Sequence, residues 1–151
     1  MAKFFSSLLI ILIASILQFI FIPNNIIINF IFATLIIFSF VFLREDYGFL
    51  KLLFFVMLGI FLINWYPVPT FDILVYALIP IVIYLFSKKF LFQSLFCAII
   101  SLVLGFFALY LLIEPSFIIN SFNVFLLDML TSSSFGLLVF ISMDNIFKKT
   151  N

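Results

Sequence analysis

Hydrophobic residues make up 68% of the 151 positions and charged residues 9%, against about a quarter charged in soluble domains, so lipid must be the solvent for most of this chain. The formal net charge is +1, with no basic tract or stripe, which argues against nucleic acid as a partner. Histidine is absent and Cys97 is the only cysteine, which excludes imidazole acid–base chemistry, His-ligated metal and an intrachain disulfide.

Six apolar segments follow one another, at roughly 4–22, 26–43, 49–65, 71–86, 90–113 and 124–147. Each is close to the about 20 residues that a membrane crossing needs. The expected fold is all-α: a single transmembrane domain over 1–151, built as a bundle of about six helices.

Lys3 precedes the first segment as in a signal peptide, but Pro23-Asn24-Asn25 leads straight into the next apolar run without a small-residue cleavage site, so the segment reads as a retained helix. Ser7, Ala14 and Gln18 form a short stripe on it. The second segment ends at Arg44-Glu45-Asp46-Tyr47-Gly48. The third runs to Trp65 and Tyr66, whose rings suit a membrane interface. Tyr66-Pro67-Val68-Pro69-Thr70 is a turn, since two prolines cannot continue a helix. The fourth segment opens with Thr70 as a candidate N-cap and Asp72 in its first turn, where the helix dipole favours a carboxylate. Pro80 should kink it.

The fifth segment carries Ser94, Ala98, Ser101, Gly105 and Ala108 at steps of four, three, four and three. That spacing gives one face of small residues, on which membrane helices approach closely, either within this protein or against another. Glu114-Pro115 ends the segment, and residues 115–123 are apolar enough to lie along the membrane surface. In the sixth, Asp128 lies about one turn inside, with Thr131 and Ser132 on its face at i+3 and i+4. With Asn64 and Asp72 these residues form the candidate polar site for a ligand or partner. For Asp128 three readings stand open: a hydrogen bond between helices, a ligand or ion site, or simple interfacial exposure.

All seven basic residues (Lys3, Arg44, Lys51, Lys88, Lys89, Lys148, Lys149) fall at the ends and in alternate gaps, and the other gaps hold none. Short loops rich in Lys and Arg stay in the cytoplasm. Both termini are therefore expected inside, with 22–25, 65–71 and 114–123 outside. The inner face then carries three acids (Glu45, Asp46, Asp144) against seven basic groups, and the outer half carries Asp72, Glu114 and Asp128. Lys88-Lys89 reads as a helix-end anchor.

The four glycines (Gly48, Gly59, Gly105, Gly136) are scattered, so there is no phosphate-cradling loop. There is no nucleophile–base set or paired carboxylate motif. No catalytic residue, metal or cofactor is expected, and the chain reads as a non-enzyme. The 26 phenylalanines, with many Ile and Asn, point to an AT-rich gene, bacterial or organellar.

Two features together resemble the bacterial rod shape-determining MreD family. One is the plan of six crossings with almost no loops. The other is the stretch from Gly59 through Asn64 and the Tyr66-Pro67-Val68-Pro69-Thr70-Phe71-Asp72 turn to Lys88-Lys89, about 30 residues. Asn64 stands where that family has an acid, and Asp72 where it has Gly. The resemblance implies a non-enzymatic scaffold of the cytoplasmic membrane that binds a bitopic MreC-like partner and supports peptidoglycan elongation. Two other readings stay open. One is the substrate-binding membrane subunit of an energy-coupling-factor vitamin transporter. The other is a small accessory subunit of an organellar respiratory complex.

Overall fold

The computed structural model describes residues 2–21, 29–63, 70–90 and 94–149. Among them every element is a helix and there is no strand: α1 (Ala2–Phe21), α2 (Phe30–Val41) with a 3-10 turn (Phe42–Arg44), α3 (Gly48–Ile63), α4 (Phe71–Phe90), α5 (Leu95–Ile113), α6 (Pro115–Asn120) and α7 (Phe122–Lys149).

The bundle is organised around α2. Its sequence, FIFATLIIFSFV, is apolar on every side, and a helix without a polar face has to be enclosed. All 12 of its residues are buried, and it packs against α1, α3, α4, α5 and α7. Its two hydroxyls are satisfied locally: Thr34 donates to the Phe30 carbonyl and Ser39 to the Ile36 carbonyl. The ring of Phe32 meets Tyr76 of α4 and Phe106 of α5 edge-on, both at 5.2 Å, the arrangement aromatic quadrupoles favour. Phe38 and Phe42 close on Phe55 of α3 at 4.9 and 5.5 Å.

Two of the glycines that look scattered in sequence have a common use here. A Cβ at Gly59 would lie 3.0 Å from Leu35 Cδ1, and one at Gly105 would lie 2.6 Å from Ile36 Cδ1. Their missing side chains let α3 and α5 approach the central helix closely, as small residues do in membrane bundles.

The outer surface is apolar: Leu9, Met57, Leu104, Leu130 and Leu138 are all more than half exposed. Three described helical stretches are long and apolar enough to cross a membrane, Phe71–Lys89, Leu95–Ile113 and Phe122–Ile146, and three apolar helices are shorter. The chain thus has the solvent preference of a membrane protein.

Several boundaries differ from the sequence expectation. The helix of α4 passes through Pro80 as one element and continues to Phe90, four residues past the expected end. Lys88 and Lys89 sit in its last turn, where the helix dipole favours cations. The start of α5 is Leu95, not 90, because Ser94 acts as its N-cap: the hydroxyl accepts from the Cys97 N–H at 3.2 Å. The region 115–123, expected along the membrane surface, is largely the short α6, mostly exposed, with Phe117 and Ile118 half-buried. The turn around 65–69, with Trp65 and Tyr66, lies outside the described residues.

The connection from α2 to α3 is tight. The Glu45 N–H donates to the Phe42 carbonyl at 3.2 Å, Tyr47 adopts a left-handed backbone (φ 56°), and Glu45 pairs with Lys51 at 2.6 Å. A Cβ at Gly48 would come within 1.9 Å of the Phe42 carbonyl oxygen, so only glycine fits there.

Candidate functional site: a buried polar cluster at the head of α2

The first N–H groups of any helix have no partner within it. The head of α2 is sunk inside the bundle, beside residues five and six positions into α4 and α7, about 8 Å below the ends of those helices. Water cannot be assumed at that depth, and in lipid each polar backbone group must find an internal partner. Side chains from neighbouring helices supply those partners.

Asn29 N–H donates to Asp128 Oδ1 at 3.1 Å and to Ser132 Oγ at 3.0 Å, both from α7. Ile31 N–H donates to Gln18 Oε1 of α1 at 3.1 Å. A carboxylate facing a helix N-terminus also meets the positive end of its dipole. Asp128 therefore acts as a cap for α2 supplied from another helix.

The Asn29 side chain extends the network. Its Nδ2 donates to Asp128 Oδ2 at 3.0 Å and to Tyr110 OH of α5 at 3.2 Å, while its Oδ1 accepts from Tyr76 OH of α4 at 2.8 Å. Tyr110 OH donates to Asp128 Oδ2, and Ser132 OH donates to Asp128 Oδ1 at 2.8 Å. Each carboxylate oxygen of Asp128 thus accepts two hydrogen bonds, and α2, α4, α5 and α7 are tied at one point. Asp128 and Ser132 are fully buried and Asn29 nearly so. The ring of Phe117, from α6, stacks on Tyr110 at 5.3 Å, and Phe125 meets it edge-on at 5.3 Å, so the cluster is roofed by aromatic rings.

The residues expected from sequence are dispersed. Asp128 and Ser132 are together in the cluster. Thr131 turns away: its hydroxyl bonds the Leu127 and Asp128 carbonyls of its own helix. Asp72 is exposed in the first turn of α4, one turn above Tyr76, and among the described residues no hydrogen bond joins it to Asp128. Asn64 lies outside the described residues. On α5, Ala98 and Gly105 are buried, Ser101 and Ala108 line an open groove beside α4, and Ser94 is the helix cap. Gly105 lines that groove as well, so three of the five share one face.

Asn29, Tyr76 and Tyr110 are the members that sequence reasoning missed. Asn29 had one available signal, a carboxamide within an otherwise apolar run. The tyrosines had none, because Tyr near a helix end is ordinary at a membrane interface.

No family model, no curated protein and no solved structure matches the chain.

Proposed function

We propose that the chain is a six-crossing protein of the cytoplasmic membrane, with both termini inside, that serves as a non-enzymatic scaffold resembling MreD. Its work is to hold a bitopic MreC-like membrane partner within the machinery of cell-wall elongation. The observation that carries the reading is the saturation of Asp128. The fully buried acid spends both oxygens on four internal hydrogen bonds, so it fixes the placement of α2. A rigid bundle with an apolar exterior suits a protein whose function is to present helices to another membrane protein. The alternate placement of Lys and Arg supports the orientation, and the stretch from Gly59 to Lys89 supports the family resemblance.

The cluster also favours a second reading, a small-molecule-binding subunit of a transporter. Asn29, Tyr76, Tyr110 and Asp128 converge from four helices near the end of the bundle that carries Asp72 and Glu114. A ligand would have to break this network to use it.

Affinity purification in mild detergent separates the two. The scaffold reading expects a single-pass MreC-like protein to co-purify, and depletion in a rod-shaped host to give rounded cells. Recovery of an energy-coupling ATPase pair, or tight binding of a vitamin, would reject the scaffold in favour of the transporter subunit.

A further inference from the structure

The short helix α6 is six residues long and is bounded on both sides by residues outside helical geometry, Glu114 (φ −148°, ψ 75°) and Ser121 (φ −132°, ψ 41°). A helix of that length has no stability of its own. None of its residues is buried, and among the described elements it touches only α5 and α7, the two helices it joins. Its backbone bonds run to its own joints: the Phe117 N–H donates to the Glu114 carbonyl at 3.0 Å, and the Ser121 N–H to the Phe117 carbonyl at 2.9 Å. What holds it down is apolar. Phe117 and Ile118 are half-buried, and the Phe117 ring lies on Tyr110 at 5.3 Å, 16° from parallel.

Beneath that ring is the polar cluster. The Tyr110 hydroxyl donates to Asp128 Oδ2 and accepts from Asn29 Nδ2 at 3.2 Å, so Tyr110 joins the cluster to α6. The other described walls of the cluster are long helices, α4, α5 and α7, with α2 enclosed among them. Phe125, the second ring against Tyr110, is buried on α7 and is fixed with it. Phe117 is therefore the one described part of the roof carried by a weakly held segment. Segments with few buried apolar contacts open at the least cost in free energy.

We propose that α6 is a lid on the Asn29–Tyr110–Asp128 cluster. It hinges at Glu114 and Ser121, lifts the Phe117 ring off Tyr110 and admits water to the cluster while the long helices stay packed. The lid goes beyond the scaffold reading. In the small-molecule reading the same opening is the ligand's entrance. Opening is read by exchange and ligand use by binding, so failure of one is distinct from failure of the other.

Amide hydrogen exchange of the full chain in mild detergent tests the lid. The Asn29 and Ile31 N–H groups, bonded to Asp128 with Ser132 and to Gln18, mark the head of α2, and the amides of 36–40 mark its middle. Phe117→Ala removes the ring and should raise exchange at the head on the order of tenfold, with the middle of α2 unchanged. Ile119→Ala, at an 82% exposed position of the same short helix, should change neither. Phe117→Leu keeps an apolar cover without the stacked ring and should give a smaller rise of the same pattern; it decides the matter if the alanine variant does not accumulate. Unchanged exchange at the head in the Phe117 variants, a rise along the whole of α2, or an equal rise in Ile119→Ala would each overturn the proposal.

Discussion

Replacing Asp128 by leucine should remove most of the folded protein from a detergent extract, while replacing it by asparagine should remove little. The leucine variant leaves the Tyr110 and Ser132 hydroxyls without the carboxylate they donate to, the Asn29 Nδ2 keeps only Tyr110, and the Asn29 N–H keeps only Ser132. Each buried donor left unmet costs about 1–3 kcal/mol, so the two hydroxyls together cost roughly 2–6 kcal/mol. That is a large share of the 5–15 kcal/mol that typically separates folded from unfolded protein. Asparagine can be absorbed by reversing the network. If the Asn29 amide turns over, its oxygen accepts from the new Nδ2, and its nitrogen donates to Tyr76, whose hydroxyl can accept as well as donate. Thermal stability and yield in mild detergent read the difference. Equal behaviour of the two variants would mean that the hydrogen bonds do not hold α2. Loss of function in Asp128→Asn at normal protein level would mean that the charge itself is used, which favours a ligand or ion site.

The second large effect is expected at Gly48→Ala. The added methyl would sit 1.9 Å from the Phe42 carbonyl oxygen, a backbone atom that already accepts from the Glu45 N–H. No rotamer change relieves that overlap, so the turn between α2 and α3 must open, with loss of the Glu45–Lys51 pair geometry. Overpacking usually costs about 1–3 kcal/mol, and a clash with backbone belongs at or above the upper end. Gly105→Ala is the matched control. Its methyl meets the tip of Ile36 at 2.6 Å, and that side chain can swing aside. A melting temperature that falls clearly more for Gly48→Ala than for Gly105→Ala supports the turn as drawn. The reverse order would show that the α2–α5 contact is the tighter one.

The class of the molecule is legible in its composition alone: this many apolar side chains need lipid or a core that 151 residues cannot provide. The helices were legible from the polar breaks between them. The depth of α2 was not. A run such as Ile26-Ile27-Ile28-Asn29-Phe30 gives no periodic signal for where a fully enclosed helix begins, because such a helix is apolar on every side. In sequence Asn29 therefore looks like part of a crossing and not its head. Asp128 was legible as a suspect, since an acid inside an apolar segment needs a reason, and Ser132 came with it at i+4. Thr131 shares the spacing but bonds its own backbone, a choice that helical periodicity cannot reveal. On α5 the small-residue spacing gave a face without saying what it meets. Ala98 faces the bundle interior, Ser101, Gly105 and Ala108 line a groove beside α4, and Ser94 serves the helix start.

The arrangement also joins the two ends of the proposed membrane protein into one design. At one end Phe49 lies against Tyr84, and Lys51, Lys88 and Lys89 sit on the first and last turns of their helices. At the other, the head of α2 is closed by Asp128 and Gln18, with Asp72 and Glu114 on helix ends nearby. The basic end is expected to remain in the cytoplasm and the acidic end to be translocated.

Reporter fusions test that central claim most directly. One reporter that is active only in the cytoplasm and one that is active only outside are each placed after Lys89 and after Glu114 in the otherwise intact chain. The six-crossing arrangement predicts cytoplasmic signal at Lys89 and external signal at Glu114. The same side for both positions would contradict it, because α5 would then not cross the membrane.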